Sequence, residues 1–222
     1  MSIKVIQFGL HDKSEREVLS QQQLQSLTSN YTRIENARYS KEPPINEIFE
    51  GRKDWYVGLT KEPDTWGLTP PHYGCWLGHK QAIQLGFCEN EHFLVCEGDC
   101  RILDMDLFKT RLQEAIKVHD EQDYPIIRFE EPNNELTTTF FDQVSKNIWE
   151  FDNIALSHCY LVNKNSKPIF DWLFLNVGWH TPDWWLNFAF PKTDIKMLCF
   201  NEKLTTQFDG VSTIDGVKKI YK

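Results

Sequence analysis

Two acidic residues that directly follow an apolar stretch are the residues of this sequence best suited to chemistry. The stretch FLVCEGDCRI, residues 93–102, runs into Glu97 and Asp99, with Gly98 between them. Carboxylate oxygens are the ligands that Mg²⁺ and Mn²⁺ take in proteins, commonly together with substrate phosphates. Gly98 would let the backbone approach such a ligand closely, because glycine has no side chain. The E-x-D turn therefore predicts a cation site, and the alternative is a polar turn with both acids in solvent.

The cysteines do not have the spacing of a structural zinc site. None of the six forms a C-x-x-C pair; they occupy positions 75, 88, 96, 100, 159 and 199. Cys96 and Cys100 are four residues apart, but no second pair of cysteine or histidine completes the four ligands. We expect reduced thiols in a cytoplasmic protein.

Strands alternate with helices along the chain, and this order positions the acidic turn. The periodicity predicts strands at 3–8, 92–96, 125–129, 153–162 and 195–200, and helices at 14–28, 74–86, 106–118 and 166–176. In the second helix, Cys75 and His79 share one face because they are four residues apart. The alternation predicts an α/β fold with a mostly parallel central sheet and helices on both faces. Ligands of such folds bind beyond the carboxyl ends of the strands, where Glu97 and Asp99 lie.

A single domain over residues 1–222 is the predicted organisation, with a loop-rich insertion at 29–72. Prolines and glycines punctuate this insertion, and we expect only short pieces of structure within it. A loop of such length inside a compact domain is more often functional than idle.

Composition argues against several classes of protein. Hydrophobic residues make up 41% of the chain, with 8 Trp and 15 Phe, which is enough for a sizeable core. The net charge of −8 argues against nucleic-acid binding, because neutralising phosphates needs clustered Lys and Arg. No signal peptide and no run of about 18 apolar residues is visible, so we expect no membrane-spanning segment. Peripheral contact with a membrane stays open.

A series of short motifs occurs along the chain in an order that is typical of one enzyme family. In chain order they are IKVIQFGLHDKSERE at 3–17, LTPPHYGCWLGHKQAI at 68–83, FLVCEGDCRI at 93–102, SHCYLVNKNSKPIFDWL at 157–173, TPDWWL at 181–186 and LTTQFDGVSTI at 204–214. This ordered set resembles glycosyltransferase family 25, the lipooligosaccharide and collagen galactosyltransferase group. The resemblance covers most of the chain and is strongest at Gly74, Cys75, His79, Glu97 and Asp99.

The resemblance implies a GT-A fold, which is a Rossmann-like nucleotide-binding sheet. It implies an inverting transferase that moves a hexose from a nucleotide sugar, such as UDP-galactose, to a glycan acceptor, as in lipopolysaccharide biosynthesis. It also implies Mn²⁺ or Mg²⁺, with Asp99 as the main metal ligand and Glu97 assisting. The donor-binding residues that it implies are Gln7, Arg16, His79, Gln207 and Ser212. For His79 the alternative is a satisfied core residue, and for Arg16 a solvated residue of the first helical turn.

Asp183 is the candidate catalytic base. An inverting displacement needs a base that accepts the proton of the acceptor hydroxyl. Asp183 lies in HTPDWWLNF and falls on the aspartate of the family's P-V-D motif. Trp184 and Trp185 would offer flat faces to a sugar ring. The alternative is that Asp183 caps a short helix whose two tryptophans lie in the core.

Three positions depart from the family pattern. Gly78 replaces the serine before His79, Gly98 replaces the middle acid of E-D-D, and Gln7 replaces an asparagine. Gly78 and Gly98 favour a first alternative, a non-catalytic relative that binds nucleotide sugars or glycans. A second alternative, a carboxylate-metal phosphohydrolase, would explain Glu97 and Asp99 without the other motifs.

Overall fold

Strands and helices alternate through the part of the chain that the structure describes. The computed structural model describes residues 3–10, 14–36, 70–89, 91–130, 140–151, 157–176, 197–208, 210–211 and 218–219. In chain order the elements are β1 (Lys4–Leu10), α1 (Glu15–Leu27), β2 (Tyr31–Asn36), α2 (Pro70–Gly86), β3 (Phe93–Glu97), β4 (Cys100–Ile102), α3 (Met105–Glu121), β5 (Ile126–Arg128), β6 (Phe140–Gln143), β7 (Ile148–Phe151), β8 (Cys159–Val162), a 3₁₀ helix (Lys164–Ser166), α4 (Lys167–Asn176), β9 (Met197–Phe200), β10 (Thr205–Gln207), β11 (Gly210–Val211) and β12 (Lys218–Lys219).

Eight of these strands form one mixed sheet, in the order β2-β1-β3-β8-β5-β9-β7-β6. β1 pairs in parallel with β2 and β3, and β5 pairs in parallel with β9. β8 and β7 run opposite to both of their neighbours, so the other six strands share one direction. The α/β class and the predominance of one strand direction agree with the prediction from sequence. The pairs β4–β10 and β11–β12 are two small antiparallel sheets.

The helices cover both faces of the sheet. Side chains alternate between the two faces along each strand, so apolar residues on both faces need a covering layer. Val5 of β1 lies in a buried cluster with residues of α1 and α3. The next residue, Ile6, points to the other face and lies in a cluster with residues of α2 and α4. The predicted placement of helices on both faces is therefore confirmed.

Local interactions explain where two helices begin. The Asp104 carboxylate accepts hydrogen bonds from the N–H groups of Asp106 and Leu107, each at 3.0 Å, and so caps α3. At the start of α1, the Ser14 N–H donates to the Glu17 carboxylate at 3.1 Å, as the S-x-x-E motif predicts. The buried face of α3 includes Phe108, Leu112 and Ala115, which recur at the helical spacing of three or four residues.

The predicted and observed elements differ most in three places. α2 begins at Pro70 and not at residue 74, since proline has a suitable φ and needs no N–H partner in a first turn. The strand predicted at 153–162 is confirmed for 159–162, and His158 lies in a bend where its side chain bonds Thr205; residues 153–156 lie outside the described residues. In the predicted loop-rich insertion, residues 31–36 form β2, and 37–69 lie outside the described residues.

The strand order creates a topological switch point at the carboxyl ends of β1 and β3. From β1 the chain passes through α1 to β2 on one side, and later through α2 to β3 on the other side. α1 and α2 cover opposite faces of the sheet. In open α/β sheets, ligands bind beyond the carboxyl ends of the strands at such a point. Glu97 is the last residue of β3, so the acidic turn lies at this position.

The burial of His119 on α3 should make the folded protein less stable in acid. Its side chain is buried, and neither ring nitrogen has a hydrogen-bond partner among the described residues. Burial, together with the nearby His92 ring, holds the pKa of His119 well below its usual value. Only the unfolded chain then takes up this proton near pH 6. The free energy of unfolding should therefore fall as pH drops below about 6.5, by up to about 1.4 kcal/mol per pH unit.

We expect His119→Leu to remove this contribution to the pH dependence. The measurement is urea unfolding of the wild type and the variant at several values between about pH 5 and pH 7. Equal slopes of unfolding free energy against pH in the two proteins would contradict the assignment to His119.

Candidate functional site at the carboxyl ends of β1 and β3

The Glu97 carboxylate is held by side chains from two other elements. Its Oε1 atom lies 3.1 Å from His79 Nε2 and 3.9 Å from Cys75 Sγ, both on α2. Its Oε2 atom lies 3.4 Å from Gln207 Nε2 on β10. Burial opposes ionisation, but the hydrogen bond and charge of His79, with His158 and Gln207, hold the pKa of Glu97 below its usual value. The side chain keeps 18% exposure and so still reaches solvent.

Both ring nitrogens of His79 are engaged. Nδ1 lies 2.7 Å from the hydroxyl of Tyr160 on β8, while Nε2 faces Glu97. The buried ring also packs edge to face against Phe8, with 4.5 Å between the ring centroids. His79 therefore lies in the core and also contacts the acidic turn. Its predicted contact with a nucleotide stays a prediction.

Asp99 pairs with Arg16 of α1. The Asp99 Oδ2 and Arg16 Nη1 atoms are 3.2 Å apart, and each side chain is 16% exposed. Burial and the neighbouring Glu97 charge raise the pKa of Asp99 to about 7, although Arg16 opposes this shift. The two acids of the turn therefore differ in protonation near neutral pH, because their surroundings differ. The Asp99 carbonyl accepts a hydrogen bond from the Phe208 N–H at 2.8 Å, which joins the turn to the end of β10.

Gln7 of β1 is fully buried and holds the turn in place through hydrogen bonds. Its Nε2 donates to the Gly98 carbonyl at 3.1 Å and to Ser20 Oγ at 2.8 Å. Its Oε1 accepts from the Tyr31 hydroxyl at 2.5 Å and from Arg33 Nη1 at 3.1 Å. These contacts make Gln7 a residue that positions the turn. Its predicted contact with a nucleotide stays a prediction.

Gly98 lies where a side chain has no room. A Cβ atom at this position would be 2.3 Å from Glu17 Oε1 and 3.1 Å from Gly9 Cα. The Glu17 carboxylate is itself held, since it accepts from the Ser14 N–H and lies 3.8 Å from Arg33 Nη2. The acid that family 25 has in the middle of E-D-D therefore does not fit here unless Glu17 moves.

The structure brings most of the predicted site residues to one place. The six that contact the turn or belong to it are Gln7, Arg16, His79, Glu97, Asp99 and Gln207. Asp183 and Ser212 lie outside the described residues, as do Trp184 and Trp185. The roles of these four residues stay predictions.

Three residues of the site were missed by reasoning from sequence. Tyr31 and Arg33 bind Gln7 from β2, and Tyr160 binds His79 from β8. No local pattern marks them, since each meets its partner only across neighbouring strands or helices. The spacing of Cys75 and His79 on one helix face was a usable signal, and the structure confirms that both reach Glu97.

Two groups of side chains in the described ranges have metal-binding atoms within 4.8 Å of one another; they are Cys75, His79 and Glu97, and Cys96, Cys100 and Cys159. The sequence predicted no zinc site because each group combines residues of more than one element. For Mn²⁺ or Mg²⁺, the oxygen donors are the carboxylates of Glu97 and Asp99. Both remain partly exposed, so water or phosphate oxygens can complete such a coordination shell.

Comparison of the sequence with protein-family models and with curated proteins found no match. The resemblance to family 25 therefore stays an expectation that depends on the motifs. Among the described residues, no helix has both the length and the apolar character needed to cross a membrane.

The charge on Arg16 should control the protonation of Asp99. We expect Arg16→Gln to raise the pKa of Asp99 further, because the guanidinium is the nearby positive charge that opposes the shift. We expect Glu97→Gln to lower it, because a neighbouring negative charge is removed. NMR titration of the Asp99 carboxyl carbon measures both changes.

The control is Arg111→Gln, which removes a guanidinium that pairs instead with Glu114 and Glu202. It should leave the Asp99 titration unchanged. An Asp99 pKa that does not move in Arg16→Gln would show that the ion pair has no electrostatic effect on the turn.

The packing around Gly98 predicts a specific steric coupling. Gly98→Ala should destabilise the protein by about 1–3 kcal/mol, because the new methyl group overlaps the Glu17 carboxylate. In a Glu17→Ala background the same change should cost less, since the overlapping atoms are gone. Urea unfolding of the four proteins of this cycle gives both costs. Equal costs in the two backgrounds would rule out Glu17 as the obstacle.

Proposed function

We propose that this protein is a glycosyltransferase that moves a hexose from a nucleotide-diphosphate donor to a hydroxyl of a glycan acceptor, with inversion. One observation carries the proposal: Glu97 ends the inner strand β3 and Asp99 follows it, at the switch point between β1 and β3. The motifs that resemble family 25 favour a UDP-sugar such as UDP-galactose, a GT-A fold and a cytoplasmic location. The proposal includes a role in lipopolysaccharide biosynthesis.

Such a reaction mainly requires that the negative charge on the departing diphosphate be stabilised. The diphosphate gains negative charge as its bond to the sugar breaks, so positive groups beside it lower the barrier. Mn²⁺ or Mg²⁺ bound to Glu97 and Asp99 would supply such a charge and orient the bond. Arg16 is a second positive group at this turn, and its planar guanidinium suits a phosphate. His79 and Gln207 hold Glu97 in place from its two oxygens.

The acceptor hydroxyl needs a base. In this proposal Asp183 accepts its proton, and Trp184 and Trp185 contact a sugar ring. The motif TPDWWL supports this assignment, since it resembles the corresponding motif of family 25.

A non-catalytic protein that binds nucleotide sugars or glycans is the second candidate. Two observations favour it. Asp99 is already paired with Arg16, and the position of the family's middle acid is a glycine that packs against Gly9. Both features reduce the negative charge that is available to a cation.

Turnover assays distinguish these functions. We expect the purified protein, given Mn²⁺ or Mg²⁺, a panel of nucleotide sugars and glycan acceptors, to release nucleoside diphosphate. Asp99→Asn keeps the shape of the side chain and removes its charge, so it should lower turnover by roughly 10²-fold or more. Asp123→Asn makes the same change at an exposed position and should leave turnover unchanged.

Two other results would point elsewhere. Nucleotide-sugar binding without turnover, with every donor and acceptor, would support the non-catalytic relative. Release of inorganic phosphate without sugar transfer would support the phosphohydrolase.

A further inference from the structure

We propose that Cys75, His79 and Glu97 form a zinc-binding site with an open fourth coordination position. The three side chains come from one face of α2 and from the end of β3. The inference does not rest on sugar transfer, because the positions and chemistry of the three donor groups carry it alone.

The separations between donor atoms suit a tetrahedral zinc ion. Bond lengths of about 2.0–2.3 Å at tetrahedral angles place nitrogen and oxygen ligands about 3.3 Å apart, and sulfur and oxygen ligands about 3.5 Å apart. The observed distances from Glu97 Oε1 are 3.1 Å to His79 Nε2 and 3.9 Å to Cys75 Sγ. Shifts of a few tenths of an ångström would bring both of these pairs to the tetrahedral separations, and the ligand atoms of Cys75 and His79 lie within 4.8 Å of each other.

The kinds of donor select zinc over the harder cations. Mg²⁺ and Mn²⁺ favour oxygen ligands, whereas Zn²⁺ accepts a thiolate, an imidazole and a carboxylate together. Cys75 is the donor that discriminates, because its sulfur is a poor ligand for Mg²⁺. Three protein ligands leave a fourth position, which is the arrangement of zinc sites that bind a further ligand.

The surroundings hold two of the donors in place. A histidine that binds zinc through one nitrogen usually bonds a polar group through the other, which sets the orientation of its ring. His79 has this arrangement, since its Nδ1 lies 2.7 Å from the Tyr160 hydroxyl. On the carboxylate, Gln207 lies 3.4 Å from the oxygen that faces away from His79.

The site is also open to an ion from solvent. The Glu97 side chain is 18% exposed, and Cys75 is half-buried. The second group of possible ligands differs in this respect, because its three thiols are all buried within the core under α1 and α3; they are Cys96, Cys100 and Cys159. Buried thiols commonly pack as small apolar groups, so this second group is the weaker candidate.

Zinc at this site would compete with a hard cation at the acidic turn. Glu97 belongs to both sets of ligands, whereas Asp99 lies beside Arg16 and outside the zinc set. Because the sulfur of Cys75 and the nitrogen of His79 favour zinc over Mn²⁺, an excess of Mn²⁺ should fail to displace zinc from the protein.

Metal binding by the full chain tests the inference with Zn²⁺ and Co²⁺ alone as probes. We expect one zinc ion per chain after dialysis against zinc and removal of the excess, measured by elemental analysis. Co²⁺ in place of zinc should produce the thiolate-to-cobalt charge-transfer band and the intense visible bands of a four-coordinate ion. Cys75→Ser should abolish the charge-transfer band and weaken zinc binding by at least about 100-fold.

Two further variants make the test specific. Cys100→Ala removes a thiol of the buried group and should keep the band and the zinc affinity. Tyr160→Phe removes only the partner of His79, so it should keep the band and weaken zinc binding by about 10–100-fold. Circular dichroism establishes that each variant is folded. If Cys75→Ser does not fold, Glu97→Gln takes its place, because glutamine keeps the shape of the side chain. Glu97→Gln should weaken zinc binding as much as Cys75→Ser.

Three results would overturn the inference: no bound zinc in the wild type, a charge-transfer band that survives in Cys75→Ser, or a band that disappears in Cys100→Ala. The last would place the metal among the buried thiols. None of these results depends on turnover of a nucleotide sugar, so the two proposals fail independently.

Discussion

The Glu97 carboxylate at the end of β3 is the constraint on which the site depends. A charge that is largely removed from water must be compensated by hydrogen bonds or by opposite charge. His79 meets this need from α2 and Gln207 from β10, and Tyr160 fixes His79 in turn. One carboxylate thereby joins the helix on one face of the sheet to the small β4–β10 sheet beside it.

Close backbone packing supports this arrangement from the other side. Gly9 and Gly98 lie against each other, and the Glu17 carboxylate occupies the space that their side chains would fill. Gln7 then bonds the turn from β1. The same packing leaves no room for a side chain between the two acids of the turn. With two acids in different surroundings, Glu97 stays ionised while the pKa of Asp99 lies near 7.

The two proposals share this carboxylate but use different neighbours of it. Sugar transfer would use the oxygen donors of Glu97 and Asp99 with the positive charge of Arg16. Zinc binding would use the sulfur of Cys75 and the nitrogen of His79. The two proposals thus differ in the kind of ligand, hard oxygen donors in one and a mixed set in the other, and the three donor atoms of the mixed set lie within 4.8 Å of one another.

The sequence by itself determined the four helices in their order with strands β1, β3, β5, β8 and β9, the cap of α1, and an acidic turn at the end of a buried strand, but not the remaining strands, β2 among them. These features depend on residues a few positions apart, so periodicity and capping chemistry reveal them. Only the tertiary structure decided that Arg16 pairs with Asp99, that Tyr160 orients His79, and that Glu17 fills the space beside Gly98. It also decided that Ser157 and His158 stay outside β8, although their alternation with the following residues resembles a strand. Such contacts join elements that are far apart in the chain. The order of strands in the sheet selects the partners, and local sequence patterns do not encode that order.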